Sequence, residues 1–397
     1  MTLHRKGWIA ASSGMIALAV AMGIGRFVFT PLLPMMQRDA GISIVQGSWL
    51  ASANYLGYLA GALSCMWLCV RSESMIRIGL LLTAALTFAM GLTQDFNAWL
   101  ALRTLSGVAS AWVLVFSSAW TLRQLALAGR ANLSSIVFSG PGVGIFVTGL
   151  LVILLTVHQS LAQSAWRLFG IAALLSTLVI WPVLRVSGSA NLAATRASAQ
   201  LPMRWTKSAL SLVACYGVAG FGYIIPATFL PLIAQQTIHS PLLLALFWPM
   251  FGLAVVVVCI AMMYLPSDLS NRKALALCFT LQALGNASLA VFPGALGLMA
   301  GTVLVGSVFT AIVQFTMHEA RDLAGENAST LMGALTSAYG VGQIIGPPLA
   351  GQLVQLWGSF APSLFVATAL LLAGAVVLYP KPLSHFFRKK GEAHALR

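Results

Sequence analysis

The sequence predicts an all-α polytopic membrane protein, with twelve transmembrane helices arranged as two six-helix bundles. Three observations carry that prediction. Of the 397 residues, 59% are hydrophobic and only 8% are charged, against about 25% charged in a soluble domain. The mean hydropathy is +0.90, and apolar runs of about 18 residues or more recur along the chain, each long enough to cross a bilayer as a helix. The basic residues sit in short loops between those runs, and mainly in every second loop.

The spans follow in order. The first, 8–34, comes after Arg5 and Lys6 and closes on Gly23-Ile-Gly-Arg26-Phe-Val-Phe-Thr-Pro31-Leu-Leu-Pro34. It outruns the ~7–15 apolar residues of a signal h-region, so no cleavable leader is expected. Spans 46–70 and 75–93 flank the loop that carries Arg71 and Arg77. Spans 97–122 and 132–157 flank Arg123 and Arg130, and 165–185 closes the first bundle. The longest loop, 186–206, contains Ser187-Gly-Ser-Ala-Asn-Leu-Ala-Ala-Thr195, a polar run with little helical pattern. Spans 207–234, 241–264, 272–292, 295–318, 328–356 and 360–380 form the second bundle, and a basic tail, 381–397, follows. The expected domains are therefore 1–185, 186–206, 207–380 and 381–397.

Charge placement tests the count. With the N-terminus inside, external loops hold only Arg38 and Arg167 of the 22 basic residues, and Arg26 and Arg103 fall within helices. All the others lie in cytoplasmic segments, so the positive-inside rule puts both termini in the cytoplasm. An odd number of helices would destroy that bias. The net charge of +14 is thus topology information, and no nucleic-acid partner is expected; the partners are a lipid bilayer and a small-molecule solute. The five cysteines lie in apolar segments without metal-ligand spacing. There is no P-loop, nucleophile motif or zincin pair, so neither an enzyme nor a cofactor is expected.

The halves repeat. Gly23-Ile-Gly25 and Leu33-Pro34 match Gly220-Phe-Gly222 and Leu230-Pro231; Arg103-Thr-Leu-Ser-Gly107 matches Thr302-Val-Leu-Val-Gly306; Gly140-Pro141 matches Gly346-Pro347. Twelve helices, a central loop and matching halves resemble the major facilitator superfamily of secondary transporters. Arg103-Thr-Leu-Ser-Gly107 is similar to its helix-four arginine motif, and Ser139-Gly-Pro-Gly-Val-Gly144 to its helix-five glycine-proline motif. Ser267-Asp268-Leu-Ser-Asn271-Arg272-Lys273 is similar to its acidic-basic loop. The equivalent first-half loop, Val70–Arg77, lacks the aspartate-arginine pair and the glycine. Gly25-Arg26-Phe-Val-Phe-Thr-Pro-Leu-Leu-Pro34 and Ser52-Ala-Asn54-Tyr55-Leu-Gly-Tyr58 resemble the YbfB/YjiJ branch. The resemblance implies alternating access, a functional monomer, and a central cavity lined by helices one, four, seven and ten. By analogy with neighbouring efflux families it also favours export from the cell, across a bacterial inner membrane.

Arg26 and Arg103 fall on two of those cavity-lining helices. At ~1.5 Å per residue, Arg26 lies ~12 Å along its helix from Pro34, and Arg103 ~9 Å from Asn97, so the two share a depth. A guanidinium fork suits a carboxylate or phosphate. The alternative is that each arginine bonds backbone carbonyls and locks helix packing. Asp39, Glu73, Asp95, Asp268, Glu319, Asp322, Glu326 and Glu392 all lie in loops, tails or helix ends, so no acid meets these cations in mid-membrane.

Asn54, Tyr55, Tyr58, Tyr216, Tyr223, Gln314, Tyr339 and Gln343 are further candidate solute contacts, with interhelical packing or hydrogen bonding as the alternative for each. Tyr223 is the repeat equivalent of Arg26. His318 and Glu319, with Asp268 and Arg272, are candidates for coupling to a proton or for gating; a solvated helix end is the alternative for His318-Glu319. Gly140, Pro141, Gly346 and Pro347 are expected to serve helix bending. The expected function is secondary transport of a small organic anion. Polyspecific efflux of neutral or cationic hydrophobic compounds is the alternative, and a transporter-like sensor is the alternative of another class.

Overall fold

The computed structural model describes residues 3–68, 70–184, 205–238, 240–264, 270–292, 294–325 and 328–379. The central loop up to residue 204, Asp268, Glu326 and the basic tail lie outside the described residues. Those described form twelve rods. The first, α1, has three segments: Leu3–Leu18, a π-helical stretch Ala19–Phe27, and Phe29–Ala40. Then come α2 (Ile44–Ser64), α3 (Ser72–Met90), α4 (Phe96–Leu127) and α5, which is broken at Ser139 into Ser134–Phe138 and Gly140–Val157. The first half closes with α6 (Ala162–Ile180). The second half holds α7 (Lys207–Gln235), α8 (Pro241–Ala261), α9 (Asn271–Val291), α10 (Ala295–Ala324), α11 (Ala328–Trp357) and α12 (Ala361–Leu378).

Several limits differ from those expected. The first helix runs past Pro34 to Ala40, where Gly41 at φ 65° stops it. A proline costs a helix only its own N–H and the bond to the carbonyl four residues back, and a neighbouring helix can satisfy that carbonyl. Helix two ends at Ser64, short of 70, and helix six at Ile180, short of 185. Helix four runs to Leu127 and helix ten to Ala324, both beyond the apolar run that signalled them.

Packing follows the sequence repeat. In the first half α1 packs on α5, α2 on α4, and α3 on α4 and α6; in the second, α7 packs on α11, α8 on α10, and α9 on α10 and α12. The halves meet through α2 on α11 and α5 on α8. Small residues let backbones touch at these crossings. At Gly57 a Cβ would overlap the Thr104 carbonyl, and at Gly107 the Asn54 carbonyl, so α2 and α4 approach more closely than a methyl group would allow.

Ten of the twelve rods are long and apolar enough to cross a membrane. The exceptions are α2 and α11, which are 21 and 30 residues long but carry glycine, serine, asparagine, glutamine and tyrosine along their length. They pack on each other across the halves. The polar residues that lower their hydropathy are therefore largely withdrawn from lipid.

Candidate functional site

Arg26 is the penultimate residue of the π-helical stretch of α1 and is 3% exposed. A π turn widens the helix and recurs at functional positions. Here it is followed by Pro31, which has no N–H to offer the carbonyls before it. The guanidinium reaches across to the other half, where Nη2 donates to Gln343 Oε1 of α11 at 2.6 Å. Three rings surround it, with centroids 4.2 Å (Tyr58), 4.9 Å (Tyr55) and 5.3 Å (Phe27) from Cζ. Such faces offset part of the cost of a desolvated cation, about 0.5–2 kcal/mol each. Nε is buried and has no hydrogen-bond partner. Among the described residues the ion pairs are Arg38–Asp39 and Arg272–Glu319, both at helix ends. Among the described residues no carboxylate forms an ion pair with Arg26.

Arg103 sits close by but is committed differently. Nε donates to Leu50 O at 3.4 Å, Nη1 to Gly25 O at 3.3 Å and Nη2 to Arg26 O at 3.3 Å, while the Phe29 ring lies 4.7 Å from Cζ. Ser106 donates to the same Gly25 carbonyl at 2.8 Å. Asn54 Nδ2 donates to Arg103 O at 2.9 Å, so α1, α2 and α4 are tied together around this side chain.

Tyr55 is 2% exposed, and its hydroxyl shares a 3.0 Å hydrogen bond with Thr228 Oγ1 of the other half. Tyr223 stacks on Phe309 (4.3 Å, 9°) and presents an edge to Phe27 at 6.5 Å. Its hydroxyl is buried without a partner. Tyr339 packs on Tyr216 at 4.6 Å. Gln314 is part-buried on α10. The sequence thus named most of this constellation, but not Phe27, Phe309, Thr30, Ser52 or Thr228.

Three of the bonds around this region end on carbonyls that prolines have freed. Thr30 Oγ1 donates to Ala227 O at 2.7 Å, four residues before Pro231. Ser52 Oγ donates to Ile344 O at 2.7 Å, four residues before Pro348. Asn286 Nδ2 donates to Gly222 O at 3.0 Å, four residues before Pro226. The first two cross between the halves, towards the end of the bundle remote from the chain's N-terminus. The signal was available as a proline at i+4, but not the identity of the donor.

His318 and Glu319 part company. His318 is exposed, whereas Glu319 is 8% exposed and accepts from Arg272 Nε at 2.6 Å. Arg272 also donates to Ser208 Oγ, so the starts of α7 and α9 are strapped to the C-terminal end of α10. Gly140 and Pro141 open the second segment of α5 at its break, whereas Pro347 and Pro348 lie inside an uninterrupted α11. A separate apolar groove of about 460 Å³ between α7 and α11 is lined by residues such as Leu210, Gly217, Phe221, Val341 and Ile345. Leu210, Val341 and Ile345 are about half exposed, as on a lipid-facing surface.

Residues 18–379 match the family described as "Uncharacterised MFS-type transporter YbfB". Among solved structures, the nucleoside transporter NupG superposes with a TM-score of 0.73 at 12% identity, covering 93% of this chain and 98% of that one. The human organic anion transporter MFSD10 (TETRAN) gives 0.65 at 16% identity, covering 94% and 99%. A search of curated proteins finds no sequence match. The matched length and the twelve-helix architecture lead to one conclusion: this chain belongs to the YbfB-type family of major facilitator transporters, proteins that cross the membrane many times.

Proposed function

We propose that the protein is a secondary transporter that moves a small organic anion by alternating access, with Arg26 as the group that receives the anion. The observation that carries this reading is a deeply buried guanidinium at the junction of the halves, with no ion-pair partner among the described residues and with Nε unspent. A cation in that position is costly unless something compensates it. Rings and one glutamine do so only in part, and an anionic solute would complete the set. Arg103, whose nitrogens are directed at three carbonyls, acts as the residue that positions α1 around Arg26. Solved transporters of this fold include one named for nucleosides and one for organic anions, so the architecture accommodates an anionic cargo.

The bonds of Thr30, Ser52 and Tyr55 across the halves close the bundle on the side away from the N-terminus. Arg26–Gln343 belongs to the same seam. An anion that takes the Arg26 donors from Gln343 removes one of the bonds holding that side shut, so binding favours opening. The Arg272–Glu319–Ser208 strap serves the opposite end, and the charge bias of the loops supports reading that end as the cytoplasmic one.

The test is counterflow of labelled organic anions in proteoliposomes holding wild type, Arg26→Lys or Arg26→Gln. Wild type is expected to exchange one or more anions, Arg26→Lys to retain a fraction, and Arg26→Gln to lose about 100-fold, as when a buried charged hydrogen-bond donor is removed. Undiminished anion exchange by a folded Arg26→Gln protein would remove Arg26 from the mechanism.

A further inference from the structure

The site around Arg26 has more to say about its cargo than charge. It offers a single cation, because the Arg103 nitrogens are occupied by carbonyls. A second negative charge on the solute would enter a low-dielectric site with nothing to meet it. It is also ring-lined on both sides of the seam. Tyr58, Tyr55 and Phe27 face the guanidinium from the first half, while Tyr216 with Tyr339 and Tyr223 with Phe309 stand in the second.

Beyond the rings lie donors with no acceptor. The Tyr223 hydroxyl and Trp248 Nε1 are both buried and unpartnered. They are linked through Phe251, which stands 6.3 Å from Tyr223 and 5.5 Å from Trp248. Buried polar atoms are normally satisfied, and these two stand next to the ring-lined site, where a polar group of a bound molecule could supply the acceptor.

We infer that the cargo is a monovalent carboxylate carried on an aromatic ring that bears a hydrogen-bond acceptor remote from the carboxylate. The carboxylate meets Arg26 Nε, the ring lies among the tyrosines, and the distal oxygen meets the Tyr223 hydroxyl or Trp248. This inference rests on the anion reading above and narrows it.

The experiment measures binding to the full-length, detergent-purified protein by ligand-induced thermal stabilisation, since a molecule that binds only the folded state raises its apparent stability. Four probes are used: 4-hydroxybenzoate, benzoate, cyclohexanecarboxylate and the dianion phthalate. The expected order is 4-hydroxybenzoate over benzoate over cyclohexanecarboxylate, each step about three- to tenfold, with phthalate weakest. In Tyr223→Phe the preference for 4-hydroxybenzoate over benzoate shrinks towards one, and in Tyr339→Leu the preference for benzoate over cyclohexanecarboxylate does. These ratios would not move if either residue served packing alone.

If cyclohexanecarboxylate or phthalate binds as tightly as the benzoates, and all depend on Arg26, the ring-and-monovalence inference falls while the anion reading stands. If none of the four binds while counterflow of other organic anions still depends on Arg26, this inference falls and the anion reading stands; if all bind Arg26→Gln as they bind wild type, both fall.

Discussion

The two halves share a helix arrangement, yet they hold their first helices in different ways. In the first half the Gly25 carbonyl of α1 is gripped from α4, by Arg103 and Ser106. In the second half the equivalent Gly222 carbonyl of α7 is gripped from α9, by Asn286. Thr302, the repeat equivalent of Arg103, is 1% exposed and its hydroxyl has no partner. The first half therefore spends a cation where the second spends an amide. At the next position of interest the first half has Arg26 and the second Tyr223. Duplication supplied a symmetric frame, and the functional chemistry lies in the departures from symmetry. One bond even marks the frame itself: Thr30 and Ala227, which meet at 2.7 Å, are 197 residues apart, the offset of the repeat.

The sharpest way to break this comparison is to delete both equivalents. Arg103→Leu takes a charged donor from three buried carbonyls, of which Gly25 O keeps only Ser106, and should cost about 2–4 kcal/mol of stability. Thr302→Val removes a hydroxyl that bonds nothing and should be neutral, or stabilising by up to about 1 kcal/mol. Thermal unfolding of the purified proteins measures both. Similar losses from the two substitutions would mean that the α4 arginine is no more of a clamp than its equivalent.

A smaller effect is expected at the prolines. An alanine suits a helix interior better than a proline by about 3 kcal/mol in isolated helices. In this protein Pro231→Ala or Pro348→Ala would return the Ala227 or Ile344 carbonyl to its own helix and take it from Thr30 or Ser52. The closed side should then loosen by about 1 kcal/mol, roughly fivefold in population. Closure can be read from disulfide formation between Ser48→Cys and Gly351→Cys in a background without native cysteines. A Cβ at Gly351 stands 3.1 Å from the Ser48 Cβ, close enough for a bridge with a small adjustment. A fivefold slower cross-link is the expected outcome; an unchanged rate would show that the freed carbonyls do not hold the seam.

The same residues show what a sequence can disclose. Twelve helices, the halves and the helix-one and helix-four arginines were legible because hydropathy, charge bias and repeat spacing are one-dimensional signals. The contrast between Arg26 and Arg103 was not. Both are arginines at one depth on cavity helices, and only the packing decides that one meets carbonyls and the other rings. The Gly57–Gly107 crossing, which brings Asn54 to the Arg103 carbonyl, depends on how two helices rotate against each other. Helix limits were misjudged where a helix outlasts its apolar run, as α10 does past His318 to Ala324. Hence Glu319, which reads as a solvated end, is buried against Arg272.

The mildest test sets two tyrosines of one chemistry against each other. Tyr55, in the first half, spends its hydroxyl on Thr228 across the seam, whereas Tyr223, in the second, leaves its hydroxyl open. Replacing either by phenylalanine keeps the ring and its packing. Tyr55→Phe should therefore lose one interhelical hydrogen bond, about 0.6 kcal/mol in a membrane protein, and slow the Ser48–Gly351 cross-link by two- to threefold. Tyr223→Phe should leave both the unfolding temperature and the cross-linking rate of the solute-free protein where they were. A loss of stability in Tyr223→Phe would give that hydroxyl a structural partner, and the donor assigned to the cargo would be gone. Neutrality in Tyr223 with a loss in Tyr55 would divide the labour between the halves: in the first, this hydroxyl fastens the seam, and in the second it is held in reserve for what the seam encloses.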